Sequence, residues 1–334
     1  MHDALASLPD DVKKKLKKTG QPGWVDPMLA TLTDDHFSDP NWIYERKLDG
    51  ERCIAYREGD DVRLMSRNRK SLNVQYPELV DAIRRQPVDH FIVDGEVVAF
   101  DDSLTSFERL QNRMNLSDPA EVRASDVDVF YYLFDLVYFD GYDLTDLPLR
   151  ARKSVLKSAF DYDDPLRLST HRDEDGAAYY EEACRDGWEG LIAKQVDSPY
   201  VHSRSKMWLK FKCVNQQELV VGGYTDPHGK RIRFGALLLG YYDGGDLVYA
   251  GKVGTGFNRK TLNDLGDRMA DLARDDPPFD VGDLPHKEVH WVEPELVAEI
   301  GFTEWTDEGC LRHPRYLGLR QDKPPEDVVK EVPA

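Results

Sequence analysis

From Trp42 to Tyr56 the chain alternates between two β-prone runs, Trp42 to Tyr44 and Cys53 to Tyr56, parted by a charged break from Lys47 to Glu51. The Asp49-Gly50 pair in that break predicts a tight hairpin, with Lys47 at its edge. Downstream the pattern predicts a strand at Val62 to Met65, a helix at Glu78 to Arg85 and a β-rich run from Phe91 to Phe100 with an Asp94-Gly95 turn inside it. A helix is expected over Ser106 to Met114. The run Val129 to Gly141 is too aromatic and β-branched for a surface helix and reads as a core strand entering a turn. Helices at Leu149 to Phe160 and Ala177 to Arg185 precede the apolar segment Trp188 to Gln195. In the last strand of this region, Lys206, Trp208, Lys210 and Lys212 share one face, and Met207, Leu209 and Phe211 the other.

From about Gln216 the texture changes to short strands, Gly-rich turns and one helix near Thr261 to Leu272. Such a pattern suits a small closed or nearly closed barrel of the oligonucleotide-binding (OB) type. Three regions follow: an N-terminal extension over 1–22, a mixed domain over 23–214 and a barrel domain over 215–334. In the extension, Pro9 opens a short expected helix through Val12 and Leu16, whose Lys13, Lys14, Lys15, Lys17 and Lys18 make the densest basic patch. Trp24 to Leu32 is expected as a strand or extended cover. Mixed strands and helices without a glycine-rich phosphate loop predict an α+β chain and exclude a Rossmann or Walker-type fold.

A length of 334 residues suffices for two domains with cores of their own. The formal net charge of −18 argues against a generally basic nucleic-acid binder but allows a basic cleft in an acidic surface, and suits a salt-rich cytoplasm. Cys53, Cys184, Cys213 and Cys310 form no CxxC pair, so neither zinc nor a disulfide framework is indicated, and each reads as a small buried residue. With no signal peptide and no apolar run near twenty residues, a cytosolic protein is expected.

The strings KLDGER (Lys47), SRNRK (Arg67), DGE (Glu96), YYLFDLVYFDG (Phe134), EGLIAKQ (Glu189), WLKFK (Lys210, Lys212) and RQDK (Arg320, Asp322, Lys323) occur in this order. In this the chain resembles the ATP-dependent DNA ligases, most closely the ligase module of bacterial and archaeal nonhomologous end-joining enzymes, over Trp24 to Val328. The resemblance implies an ATP-grasp-like nucleotidyltransferase domain followed by an OB-fold β-barrel, with ATP and Mg²⁺ (or Mn²⁺) as cofactors. It also implies a lysyl-AMP intermediate on Lys47, transfer of AMP to a 5′-phosphate and sealing with a 3′-hydroxyl.

The residue types suit that chemistry. An attacking lysine must be neutral, and from a pKa near 10.4 about one in a thousand is neutral near pH 7.4, a penalty of roughly 4 kcal/mol. Arg52, Lys210, Lys212 and a metal are expected to lower that cost and to stabilise phosphoryl charge. Glu96 and Glu189 suit Mg²⁺ because it takes oxygen ligands. By resemblance Phe134 stacks on adenine, Ile192 is the opposite wall and Glu45 lies beside the base. Arg52 and Arg67 contact sugar or phosphate, Asp49 shapes the lysine loop, and Arg320, Asp322 and Lys323 act on the leaving pyrophosphate.

Two departures stand out. Arg69 and Lys70 follow Asn68 where many relatives have glycine, and Arg46 replaces a usually apolar neighbour of the nucleophile. The implied partners are nicked or broken duplex DNA, a Ku-like end-binding protein and separate polymerase or nuclease repair proteins, with no membrane. A monomer associated with the nucleoid is expected. RNA ligation, capping guanylyl transfer and a non-catalytic nucleic-acid binder are the competing readings; the intact lysine and carboxylates argue against the last.

Overall fold

In the computed structural model, which describes residues 2–333 apart from Lys230, Asp307, Gln321 and Asp322, the chain divides into two compact units, one over Met1–Cys213 and one over Val214–Val332. The fold class is α+β: a mixed first unit followed by a smaller, strand-rich second unit.

The first unit holds a seven-stranded and a five-stranded sheet. The expected hairpin at the lysine does not form. Trp42–Arg46 pairs with Gly190–Gln195 and His171–Asp173 in the five-stranded sheet, whereas Glu51–Glu58 pairs with Asp61–Ser66 and His90–Val98 in the seven-stranded one. Lys47 to Gly50 is therefore a crossover between sheets. Gly50 serves close approach here: a Cβ on it would lie 2.2 Å from the Val97 carbonyl oxygen. The tight turn comes later, at Gly59-Asp60, which links Glu58 to its partner Asp61.

Alternation along Glu51–Glu58 assigns its two faces. Cys53 and Ala55 enter the core beneath the helices. Ile54 and Tyr56 enter a second core with Met28, Phe134, Tyr200 and Trp208, where residues of both sheets meet. The Asp94-Gly95 pair is not a turn either; the strand His90–Val98 runs through it, with a register irregularity against Phe130–Phe139 between those two residues. Flanking apolar residues on both sides outweigh the local turn preference, and Asp94 is fully buried.

The N-terminal residues belong to the core of this unit. Leu5, Leu8 and Val12 pack with Phe139 and Leu144. The single basic helix expected over 12–18 is absent: helix Asp10–Lys13 ends early, and Lys17–Lys18 forms a strand on Tyr142–Asp143. Pairing at that sheet edge satisfies the backbone better than one more turn of adjacent lysines.

In the second unit, Asn215–Thr225 lies between Leu237–Asp243 and the long strand Val289–Phe302, which also pairs with Arg315–Arg320. Its helix, Arg259–Asp271, is capped by Asn258, whose side chain accepts from Thr261 N–H.

Candidate active site

The five-stranded sheet builds one wall of the site. Cross-strand partners share a face, and the register makes three rows. Ile43, Lys194 and Trp208 form one and Glu45, Ile192 and Lys210 the next. Gly190 pairs with Lys212, and Lys47 extends that row by donating its N–H to the Gly190 carbonyl at 2.9 Å. Trp208 is buried in the core between the sheets, so this face turns toward the seven-stranded sheet. The expected alternation therefore holds for Trp208, Lys210 and Lys212 against Leu209 and Phe211. Met207 departs from it, packing with the Trp208 cluster beside a bulge.

The Lys47 ammonium donates to a Glu189 carboxylate oxygen, and its side chain is 19% exposed. Burial works to lower its pKa, but the Glu189, Asp49 and Glu96 carboxylates outweigh burial and raise it. The expectation that Arg52, Lys210 and Lys212 would make this lysine easy to deprotonate is thus reversed in the free protein. The reason is local pairing: Arg52 is committed elsewhere. Its guanidinium donates to both Asp94 oxygens at 2.5 and 2.6 Å and to the Met28 carbonyl, while Tyr200 O–H also donates to Asp94.

Asp49 braces the crossover. Its carboxylate accepts from Phe107 N–H, at the first turn of helix Phe107–Met114, and its own N–H donates to Thr105 Oγ1. Both the loop-shaping role and ordinary local chemistry are present.

Phe134 faces two cations. The Arg52 guanidinium lies 4.5 Å from its ring centre and Lys194 Nζ 4.3 Å. Glu45 is buried and bound by Lys153 at 2.5 Å, Lys194 at 2.9 Å and the Ser169 hydroxyl at 3.2 Å. Burial raises its pKa, yet the two ammonium groups prevail and hold it at about 2. In Lys194, burial dominates and, with Lys153 nearby, lowers the pKa. Glu45 is therefore an anion shared between two lysines.

Arg67 follows Ser66, the last residue of strand Asp61–Ser66, which pairs with Cys53, so it lies just past the end of the strand that neighbours Arg52's. Among the described residues its guanidinium has no hydrogen bond or ion pair. Arg69 occupies the left-handed region at φ 61°, where a glycine would sit without strain. Its guanidinium stacks on Trp24 and donates to Asp26.

In the second unit, Lys323 Nζ donates to Glu218 at 3.2 Å and Arg320 lies 3.9 Å from Glu299. Asp322 lies outside the described residues.

Sequence reading missed Asp94, Lys153 and Lys194. Asp94 was hidden by the Asp-Gly pair it belongs to, which has the composition of a turn. Cys184 and Cys213, expected unpaired, form a disulfide. Helix Gly176–Arg185 ends against the strand Arg204–Lys212, which brings together two cysteines with no sequence signature. Cys213 N–H also donates to the Glu189 carbonyl. Cys53 is a buried free cysteine, as expected.

An open arrangement of oxygen ligands, an amine and cations suits attack on a phosphorus atom. Comparison with known proteins agrees. Residues 27–212 match the family described as ATP dependent DNA ligase domain, and 230–323 match the ATP dependent DNA ligase C terminal region. The multifunctional non-homologous end joining protein LigD of Pseudomonas aeruginosa is 38% identical over 327 residues, 95% of this chain and 38% of that protein. Its namesake from Mycobacterium bovis is 37% identical over 91% of this chain and 40% of that protein. This chain thus spans about two-fifths of the length of these relatives. A solved structure of mycobacterial DNA ligase D complexed with ATP and MES superposes with a TM-score of 0.65 at 35% identity, covering 92% of this chain and 98% of that one.

Proposed function

The chain belongs to the ATP-dependent DNA ligase family, and from that membership we propose that it seals breaks in duplex DNA during end joining. Lys47 Nζ attacks the α-phosphorus of ATP and the bond to pyrophosphate breaks. AMP then passes from Lys47 to a 5′-phosphate, and a 3′-hydroxyl displaces it to close the strand. The observation that carries this reading is the Lys47 to Glu189 contact at the end of the row containing Lys212.

Adenine stacks on Phe134 with Ile192 opposite, and its amino group approaches Glu45, which Lys153 and Lys194 hold in place. Arg52 and Arg67 serve sugar or phosphate oxygens, Arg52 by exchanging Asp94 for the ligand. Lys210 and Lys212 neutralise the transferring phosphate. Glu96 and Glu189 fit Mg²⁺, since both act electrostatically on Lys47 and offer only oxygen donors. When bound, the ion would supply positive charge against the phosphates and compete with Lys47 for Glu189. The first unit is read as the adenylation domain and the second as the OB domain that brings Arg320, Asp322 and Lys323 to the ATP half-reaction. Its expected setting is a monomer acting with a Ku-like protein and separate end-processing enzymes; the names of the longer relatives support end joining alone. Among the described residues no helix is long and apolar enough to cross a membrane, consistent with a place in the nucleoid.

Labelled ATP or GTP, followed by nicked DNA or nicked RNA, tests the proposal. ATP labelling with sealing of DNA is expected; GTP labelling would favour capping chemistry, and sealing of RNA alone an RNA ligase. Lys323→Ala should slow self-adenylation at least about tenfold, the scale of one lost charge-assisted contact of roughly 1.5–3 kcal/mol. Sealing of a pre-adenylated nick should change little. Equal loss in both single-turnover assays would contradict the assigned role.

A further inference from the structure

Arg46, half-buried, stands apart from the paired arginines of its unit. Arg52, Arg57, Arg113 and Arg152 each face a carboxylate: Asp94, Asp89, Glu78 and Asp135. Among the described residues Arg46 has none, in a chain carrying 62 acidic side chains. Its guanidinium rests 4.5 Å from the centre of the Trp188 ring, and its contact to the Ser103 carbonyl is 3.5 Å long, beyond good hydrogen-bond geometry. Nε is buried without an acceptor. Asp101 and Asp102, in the hairpin that supplies Ser103, form no ion pair with it.

Desolvating a guanidinium without a counter-charge is unfavourable. An apolar side chain here would cover Trp188 without that cost, so packing alone does not account for Arg46. What it lacks is an anion.

Its direction selects the anion. Arg46 pairs with Leu191 and follows Tyr44 in alternation, so it lies on the face opposite Glu45 and Ile192. That is the side away from the nucleotide row. Ser103 and Leu104 beside it are exposed, leaving the guanidinium within reach of a polymer passing over the Phe100–Asp101 and Leu104–Thr105 hairpin.

We propose that Arg46 is a phosphate contact for the nucleic-acid strand, holding one backbone phosphate against Trp188 at the outer side of the lysine crossover. This rests on the ligase reading and extends it with a residue that departs from the family pattern. Trp188 keeps the planar, multi-donor group in place, and the phosphate supplies acceptors to the terminal N–H groups.

Arg46→Leu and Arg46→Lys decide the matter in steady-state sealing of a pre-adenylated nicked duplex across a salt series. Arg46→Leu should raise KM for the duplex about tenfold with kcat within twofold. It should also flatten the plot of log binding constant against log salt by about 0.9, the loss of one phosphate contact. Arg46→Lys should restore the slope and most of the affinity. Unchanged KM and slope for Arg46→Leu overturn the proposal, as does a fall in melting temperature with binding intact, which marks a packing role. A rise in KM for ATP instead assigns the site to the nucleotide's own phosphates and also overturns it. A wild-type protein that seals no nicked duplex overturns the ligase reading itself.

Discussion

Lys47→Ala should abolish the covalent AMP adduct, lowering self-adenylation by roughly 10⁶-fold, the scale on which loss of a nucleophile acts in other covalent enzymes. No neighbour can replace it. Lys194 and Lys153 are bound to Glu45, and Lys210 and Lys212 sit together on another strand, Arg204–Lys212. Because step two uses an already activated phosphate, sealing of a pre-adenylated nick should persist in part. Intact-mass and peptide analysis after incubation with ATP and Mg²⁺ reads the adduct directly, and AMP on any other lysine would falsify the assignment.

The same lysine sets a pH dependence. Its pKa in the free protein is raised, with the carboxylate of Glu189 prevailing over burial. Below that value the neutral fraction, and with it the adenylation rate, should climb about tenfold per pH unit when chemistry is limiting. The stability linkage has the opposite sense: a raised lysine pKa means the ion pair contributes fully below the unfolded value near 10.5 and is lost as pH rises through the folded one. A flat single-turnover profile would mean that another step limits the rate.

Asp135→Ala should destabilise the first unit by about 3–5 kcal/mol, a large part of the roughly 5–15 kcal/mol that holds a domain folded. Arg152 and Asp135 are both fully buried, joined at 2.7 and 2.9 Å, and Arg152 also donates to the Leu147 and Ser198 carbonyls. Removing the acid strands a desolvated guanidinium. Replacing both, as Asp135→Leu with Arg152→Met, should recover much of the loss because no charge is then left unpaired. Urea unfolding of both variants measures this; a loss below about 1 kcal/mol for Asp135→Ala would contradict it. Asp135 adjoins Phe134, so the single variant should also weaken ATP binding.

Much of the site was readable because chemistry fixes residue types and order. Lysine, two carboxylates and alternating lysines on one strand all appear as short strings, and alternation alone placed Trp208, Lys210 and Lys212 on a common face. Connectivity was not readable. Asp49-Gly50 and Asp94-Gly95 have the composition of turns, yet one is a passage between sheets and the other lies within a strand, because tertiary partners on both sides override local preference. The partners that hold the site residues were equally hidden: Asp94 closes on Arg52, and Lys153 reaches Glu45 from 108 residues away. Pairings of that kind follow from the fold and leave no local spacing to recognise, as the cysteines show again.

The carbonyl that receives Lys47 N–H belongs to Gly190, whose φ is 143°. A Cβ there would stand 1.9 Å from the Phe211 carbonyl oxygen, so any side chain would wedge the lysine-bearing strand off its neighbour. Nucleophile, acid and paired lysines are thereby registered through a position that contributes no functional group. It acts as a shim of zero thickness: the tolerance of the whole assembly is set where the sequence has nothing to offer but space.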